Sequence, residues 1–270
     1  MVAPTREIAP GIHWIAEPGP DRSHFIEDQY DRHPAWYDPA DSLHVPQHAY
    51  LLDDEESLLF DTLSPACKSD IVETLTERLD DGLDYLVVSH PDVPHAGNAM
   101  AILEAFPDAT LVAPAYGNAH ALYHLDDAVL VAAGDMIDLG ALEVEFAEAS
   151  FPDAPIHIWM RELTTETLFP VDWLGYPHRG VETMAFPAEF DTELTVDRLV
   201  QFHGRVLFWF QYVDVDAVTA EIDRLIQDFE PVIVAPGHGN PIREGATDVM
   251  ARAKEVVAAV QRDGRVGTLG

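Results

Sequence analysis

Residues 83–98 read LDYLVVSHPDVPHAGN, an apolar run that breaks into a short loop carrying two histidines and an aspartate. The run Tyr85–Val88 predicts a buried strand. In an extended turn His90 and Asp92 point the same way, and His95 belongs to the same loop. Imidazole and carboxylate groups suit zinc, iron or manganese. The stretch therefore predicts a metal site; the alternative is that these polar residues cap the turn and the following helix.

Two other strand ends deliver metal-binding residue types into loops. The apolar stretch Glu166–Val171 runs into Asp172, and the stretch Pro231–Ala235 runs into the loop that holds His238. Three strand ends thus lead into histidine or aspartate. This repetition is the feature of the sequence that a functional interpretation must explain.

The spacing of apolar residues predicts strands and helices in alternation along the chain. Further strands are predicted at Gly11–Ala16, His48–Leu52, Ser57–Asp61, Thr110–Ala113, Ala128–Val131, Met136–Leu139 and Leu142–Ala147. Helices are predicted at Cys67–Leu79, Ala99–Phe106, Tyr116–Tyr123, Thr195–Phe229 and Ala246–Gln261. Strands with interposed helices, then more strands and closing helices, predict a layered α/β architecture.

The charge of the chain is strongly acidic. Its 270 residues include 48 Asp and Glu against 15 Lys and Arg, for a formal net charge of −33. The acids are dispersed, and Lys68 and Lys254 are the only lysines. Such a surface favours solubility in very high salt, because screening removes the self-repulsion. We interpret the chain as halophilic, with docking of a basic partner as the alternative, and we exclude nucleic-acid binding through phosphate contacts.

The chain is expected to be soluble and cytoplasmic, with no membrane partner. No apolar run reaches the roughly 18–20 residues of a membrane span, and the opening MVAPTREIAPGIHWI lacks the apolar region of a signal peptide. A single cysteine, Cys67, cannot form an internal disulfide or a thiolate metal cage. The sequence contains no repeat and no Gly/Ser linker.

Five blocks of the sequence resemble motifs of the metallo-β-lactamase superfamily, and within it the β-lactamase-like domain of flavodiiron proteins. They are HAYLLDDEESLLFDT (48–62), LDYLVVSHPDVPHAGN (83–98), SFPDAP (150–155), TLFPVDWLG (167–175) and VIVAPGHGNPI (232–242). Their order and spacing are more specific than any one block. The resemblance implies a four-layer αββα sandwich that forms a single domain over residues 1–270, without a flavodoxin domain.

The same resemblance implies a two-metal centre with seven ligand positions. One metal takes positions His90, Asp92 and Ser150, the other takes Pro94, His95 and His238, and Asp172 bridges them. Proline has no side-chain donor and a neutral serine hydroxyl is a poor one, so each metal loses a ligand. Asp92 stands where the flavodiiron proteins carry Glu and is shorter by one methylene.

Four outcomes are compatible with these departures from the family pattern. Two metals bind with water in the gaps, or one metal is shared among His90, His95, Asp172 and His238. In a third outcome neighbouring side chains substitute or support the site, among them Asp153, His157, His178 and, at its mouth, His48. In the fourth, the fold carries no metal.

The similarity to the flavodiiron branch implies a mono- or dinuclear non-haem centre, with iron favoured over zinc, for O2 or NO binding, sensing or partner-dependent reduction. No phosphate loop is left over for FMN, so we expect no FMN in this chain and a separate reductase. The alternative is a zinc-dependent hydrolase of an ester, lactone or thioester, in which zinc activates hydroxide. A second alternative is a non-catalytic binding module. A homodimer is compatible with the resemblance.

Overall fold

The computed structural model describes residues 2–18, 34–37, 43–115, 128–178, 184–190 and 193–264. The chain divides into two compact units. The first unit comprises Met1–Gly19 and Gln47–Phe169, and the second comprises Pro20–Pro46 and Pro170–Gly270. The helix predicted at Tyr116–Tyr123 lies outside the described residues.

The first unit contains a seven-stranded sheet whose strands follow chain order. Its strands are β1 (Thr5–Ala9), β2 (Ile12–Ala16), β3 (His48–Asp53), β4 (Ser57–Phe60), β5 (Tyr85–Val87), β6 (Thr110–Pro114) and β7 (Val129–Val131). Strands β1 to β4 pair antiparallel, and β4 to β7 pair parallel. β3, β4 and the apolar part of β5 are buried, as expected for strands covered on both faces.

Three helices lie between strands of this sheet along the chain. They are α1 (Lys68–Arg78), between β4 and β5, and α2 (Val93–Ala96) and α3 (Ala99–Ala105), between β5 and β6. Ile71 of α1 and Ile102 of α3 share one buried cluster with Leu59 and Leu86 of the sheet. Cys67 lies in the same cluster and is fully buried. The single thiol is therefore part of the core.

The first unit also contains the strands β8 (Met136–Asp138), β9 (Glu143–Glu148), β10 (Ile158–Glu162) and β11 (Thr167–Phe169). They belong to a second sheet, in which they pair in the order β11–β10–β9–β8. The ring of Phe169 contacts the rings of Tyr50 and Phe60, 5.2 and 5.7 Å away between centroids. The two sheets therefore pack through aromatic side chains. Strands β1 and β10 are not among the strands that the sequence predicts.

The second unit contains α4 (Val196–Val206), α5 (Val215–Phe229), the short strand β12 (Ile233–Val234) and α6 (Ala246–Asp263). The helical region predicted over Thr195–Phe229 is interrupted, because a 3-10 turn at Phe208–Tyr212 separates α4 from α5. Asp214 then starts a new helix, accepting hydrogen bonds from the backbone N–H groups of Asp216 and Ala217.

Two sheets with helices confirm the α/β class that the sequence predicts. Within the part of the chain that the structure describes, no helix is both long and apolar enough to cross a membrane.

Candidate metal centre

The loop after β5 separates the three predicted ligands of the opening motif. His90 and His95 are buried, with 0% and 1% of their surface exposed, and their ring centroids lie 4.2 Å apart. Asp92 is exposed and is the residue at which α2 begins. Pro94 fits the first turn of this helix, where a backbone N–H has no helical acceptor. The helix start therefore directs His95 inward and leaves Asp92 at the surface.

Asp61, directly after β4, holds His95 by a direct contact and His90 through Ser89. Its Oδ2 lies 2.7 Å from Nδ1 of His95 and accepts a hydrogen bond from the Ser89 hydroxyl at 3.0 Å. Its Oδ1 accepts from the Ser89 backbone N–H at 2.9 Å. Asp61 has a φ of 63°, an unusual conformation for a residue with a side chain. In the sequence, Asp61 is only the acid that ends the predicted strand Ser57–Asp61, and nothing there indicates a role in the site.

These hydrogen bonds fix which nitrogen of each ring carries the lone pair. An ionised carboxylate only accepts, so His95 donates from Nδ1 and has its lone pair on Nε2. The single hydroxyl proton of Ser89 goes to Asp61, so Ser89 Oγ accepts from Nδ1 of His90, 3.1 Å away. His90 therefore also has its lone pair on Nε2. In both rings Nε2 is therefore the nitrogen that can ligate a metal.

The end of the loop that carries His90 and His95 is hydrogen-bonded to the segment that follows β4. The side-chain amide of Asn98 donates to the backbone carbonyls of residues 62–64, at 2.7–3.0 Å. The hydroxyl of Thr62 donates to the carbonyl of His95 at 2.9 Å. Gly97 is required here, because a Cβ atom would lie 2.6 Å from Cδ of Pro65. The backbone around His95 is therefore held on two sides.

The loop after β9 brings two further candidates to His90. Asp153 Oδ1 lies 3.1 Å from Nδ1 of His157, and Asp153 Oδ2 lies 3.6 Å from Nε2 of His90. His157 is buried and its ring stacks on that of His90, with centroids 4.5 Å apart and planes 4° apart. Each of these three residues offers a ligand atom within 4.8 Å of the others. We call His90, His95, Asp153 and His157 the histidine cluster.

Two further candidates of the first unit, Ser150 and His48, are not part of the histidine cluster. Ser150 lies near the start of the loop after β9 and is partly buried. His48, on β3, is buried and meets the ring of Trp14 edge-on at 5.0 Å. Among the described residues, the groups with metal-binding geometry do not include His48 or Asp92.

In the second unit, Asp172 and His238 form a buried pair. His238 Nε2 lies 3.2 Å from Oδ1 of Asp172, and His238 Nδ1 lies 2.7 Å from the carbonyl oxygen of Pro46. Because a carbonyl only accepts, His238 donates from Nδ1, and its Nε2 lone pair faces a carboxylate oxygen. We call these two residues the Asp172–His238 pair. Two lone-pair atoms this close need a cation between them, either a proton or a metal ion.

The turn after Asp172 is held by His203 on α4. Leu174 has a φ of 67°, and its N–H donates to Nε2 of His203 at 3.1 Å. His203 Nδ1 donates to the carbonyl of Leu199 at 2.8 Å, and burial lowers the pKa of His203 to about 4. The buried, neutral ring therefore supports the turn that carries Asp172.

His178, predicted as a substitute ligand or support, contacts Asn240, two residues after His238. Its Nε2 is 2.9 Å from Oδ1 of Asn240, and burial lowers the pKa of His178 to about 3. The backbone of His178 pairs with that of His44. The described groups with metal-binding geometry do not include His178. It lies near the site and contacts the segment that carries His238.

A small cavity opens beside the histidine cluster. Its volume is about 280 Å³, and His157 forms part of its wall. The other lining residues are mostly apolar: Pro114, Ala115, Val131, Ala132, Ala133, Ala149, Pro152, Pro155 and Ile158, with Glu148 as the charged exception. An apolar cavity of this size accommodates a small uncharged molecule.

A family model matches the part of the chain that carries His90, His95, Asp153, His157 and Asp172. The model described as the metallo-beta-lactamase superfamily matches residues 44–187, more than half of the chain. The chain belongs to the metallo-β-lactamase superfamily. The expectation drawn from the five sequence blocks is thereby confirmed, as is the αββα sandwich fold that this superfamily shares.

Relatives of this metallo-β-lactamase chain include a protein named nitric oxide reductase from Moorella thermoacetica. It is 28% identical over 241 residues, which cover 86% of this chain and 56% of the relative. Anaerobic nitric oxide reductase flavorubredoxin from Aliivibrio salmonicida is 24% identical, over 80% of this chain and 44% of its own length. The chain spans about half the length of the curated relatives it matches.

Solved structures show the same fold in flavodiiron proteins. The flavodiiron protein from Giardia intestinalis superposes with a TM-score of 0.74 and 17% identity, over 96% of this chain and 60% of that one. Rubredoxin oxygen:oxidoreductase from Desulfovibrio gigas superposes with a TM-score of 0.73 and 22% identity, over 96% and 62%. The chain therefore shares the fold of the matching part of these flavodiiron structures.

Proposed function

We propose that the chain holds a non-haem metal centre, with iron favoured over zinc, that binds O2 or NO for sensing or for partner-dependent reduction. The proposed centre is mono- or dinuclear and draws on His90, Asp92 or its substitutes, His95, Asp172 and His238, the positions that the family resemblance implies. Relatives named nitric oxide reductase and rubredoxin oxygen:oxidoreductase support this choice of ligand.

One observation supports the proposal most strongly: in each unit a histidine lone pair faces a carboxylate oxygen. The distance is 3.6 Å between His90 and Asp153 in the first unit and 3.2 Å between His238 and Asp172 in the second. In both cases Nδ1 of the ring is held by another hydrogen-bond partner. A metal cation between the two lone-pair atoms satisfies both of them.

The donor types are compatible with iron, and the proposed reduction chemistry favours iron over zinc. Imidazole and carboxylate with no thiolate suit iron as well as zinc, and Cys67 is buried in the core. Zinc has no redox chemistry, whereas reduction of NO or O2 requires a metal that changes oxidation state. When bound, iron supplies open coordination positions for a diatomic gas.

The chain's own residues contribute orientation and exclusion of water. Asp61 and Ser89 hold the first-unit rings by their Nδ1 atoms, and a backbone carbonyl holds His238. Such outer partners fix the tautomer and orientation of ligating histidines. His90 and His95 are almost completely buried. We further propose that electrons reach the site from a separate flavin-carrying reductase, and that the isolated chain binds no FMN.

Elemental analysis of protein purified in molar salt, without chelator or affinity-metal resin, tests this proposal. We expect one to two irons per chain, followed by a spectral change on titration with O2 or NO. The flavin absorption band should be absent from the purified chain. A protein that lacks metal, and whose stability does not change on adding chelator, would instead indicate the non-catalytic binding module.

A zinc-dependent hydrolase is the second candidate, and the cavity favours it. A volume of about 280 Å³ is larger than a diatomic gas requires and suits the apolar part of an ester, lactone or thioester. One or two zincs per chain, together with turnover of such esters, would support hydrolysis over gas binding.

We also propose that the protein functions in concentrated salt. The net charge of −33 produces self-repulsion that salt screens. The midpoint of thermal unfolding should therefore rise steadily from millimolar to molar KCl. A midpoint that does not change across this range would contradict adaptation to salt and favour a surface that docks a basic partner.

A further inference from the structure

The two oxygens of Asp153 have different surroundings. Oδ1 accepts a hydrogen bond from Nδ1 of His157 at 3.1 Å, and Oδ2 faces Nε2 of His90 at 3.6 Å. The Asp153 side chain is 12% exposed, whereas Asp92 lies at the surface. The acid nearest to His90 in space is therefore not the acid that the family motif places beside it in sequence.

The distance between Asp153 and His90 fits two ligands of one ion. At 3.6 Å the contact is too long for a hydrogen bond. Two donors that each lie about 2.0–2.2 Å from a metal, at tetrahedral or octahedral angles, are roughly 3.0–3.6 Å apart. Because Nδ1 of His90 is held by Ser89, the atom that faces Asp153 is the nitrogen with the lone pair.

The orientation of His157 suits it better to holding Asp153 than to binding the same ion as His90. A metal lies close to the plane of each imidazole that binds it, because the lone pair lies in that plane. The rings of His157 and His90 are stacked, 4.5 Å apart and only 4° from parallel. An ion that lies in the plane of one ring therefore lies out of the plane of the other.

We infer that Asp153 ligates the metal together with His90, in place of Asp92 and Ser150, and that His157 is a positioning residue that holds the Asp153 carboxylate. This inference rests on the proposed metal centre and specifies how that centre replaces ligands. The loop after β9 thereby supplies a carboxylate three residues beyond the position at which the family carries histidine. The metal-binding chemistry is retained although the motif is not.

The first test compares two acids in the full-length chain, Asp153→Asn and Asp92→Asn. Iron or cobalt affinity is measured by competition with a chelator in molar salt, with thermal unfolding as the control for folding. We expect Asp153→Asn to weaken binding by about 100-fold or more and Asp92→Asn to leave it unchanged. Loss in Asp92→Asn but not in Asp153→Asn, or equal loss in both, would overturn the inference.

The second test uses the two ways of replacing His157. Asn places an N–H near the position of Nδ1, whereas Phe retains a stacking ring but cannot donate. We expect His157→Phe to weaken metal affinity by about 10–100-fold and His157→Asn to restore most of it. If both variants lose equally, His157 does not act through this hydrogen bond.

The two tests separate this inference from the proposed function. If the wild-type chain binds iron but Asp92→Asn loses affinity and Asp153→Asn does not, the proposed metal centre stands and the role of Asp153 is wrong. A wild-type chain that binds neither iron nor cobalt rejects both.

Discussion

The two regions that carry metal-binding side chains are supported in different ways. In the histidine cluster, the rings of His90 and His95 depend on the side chains of Asp61 and Ser89. In the Asp172–His238 pair, the ring depends on a backbone carbonyl. The pair keeps the residues that the family resemblance implies as ligands, whereas the loops that carry the cluster depart from the implied ligands at positions 92, 94 and 150.

Removing a ligand from the better-retained region should have the largest effect. Asp172→Ala and His238→Ala are each expected to abolish tight metal binding, because each removes a ligand of the proposed centre. Metal content after dialysis measures this, with the exposed Asp108→Ala as the control. Full occupancy in both ligand variants would show that the assignment of the pair to the metal centre is wrong.

In the second region, the titratable side chain of His203 holds the turn that follows Asp172. Burial lowers the pKa of His203 to about 4, so the folded state prefers the neutral ring. Between about pH 6.5 and pH 4 the unfolded chain binds the extra proton, so stability falls as the pH is lowered through this window. At about 1.4 kcal/mol per pKa unit, the loss is about 3 kcal/mol.

Denaturant unfolding at several pH values tests this role of His203. The difference in unfolding free energy between wild type and His203→Gln should shrink as the pH falls from 6.5 to 4. A constant difference would mean that the ring does not titrate in this window.

In the first region, metal affinity should depend on the carboxylate of Asp61. Asp61→Asn removes the carboxylate that accepts from both His95 and Ser89, so the ring orientation is no longer fixed. We expect metal affinity to fall by about 10–100-fold, with the ligands themselves unchanged. Chelator competition measures the loss, and Asp84→Asn, a carboxylate that also accepts from a serine, is the control. Equal affinities of Asp61→Asn and wild type would remove the contrast between the two regions.

Restoring the motif should have the smallest effect. Pro94→Asp combined with Ser150→His is expected to raise the metal content toward two per chain, since both family positions then carry donors. An acid in the first turn of α2 also suits the helix N-terminus. Elemental analysis of this double variant against wild type gives the answer. If the metal content does not rise, these loops have moved away from the family geometry.

Most elements were predictable because their apolar patterns are strong. The buried runs of β3, β4 and β5 and the last helix, α6, lie where the sequence places them. Strand β10 was missed because its residues, IWMRE, show no simple alternation. The predicted helical region Thr195–Phe229 is divided at the 3-10 turn because Asp214 caps a new helix, a signal that lay inside an otherwise helical pattern.

The sequence by itself determined the α/β class, the family, and the residue types available to a metal, because strand periodicity and motif order are local properties of the chain. Only the tertiary structure decided which acid faces His90. Asp92 begins a helix and lies at the surface, while Asp153 reaches the ring from a loop 63 residues away. The tertiary structure likewise showed that Asp61 holds the ring of His95 directly and the ring of His90 through the Ser89 hydroxyl. Such contacts depend on backbone direction and on hydrogen bonds between distant segments, and no spacing along the chain encodes them.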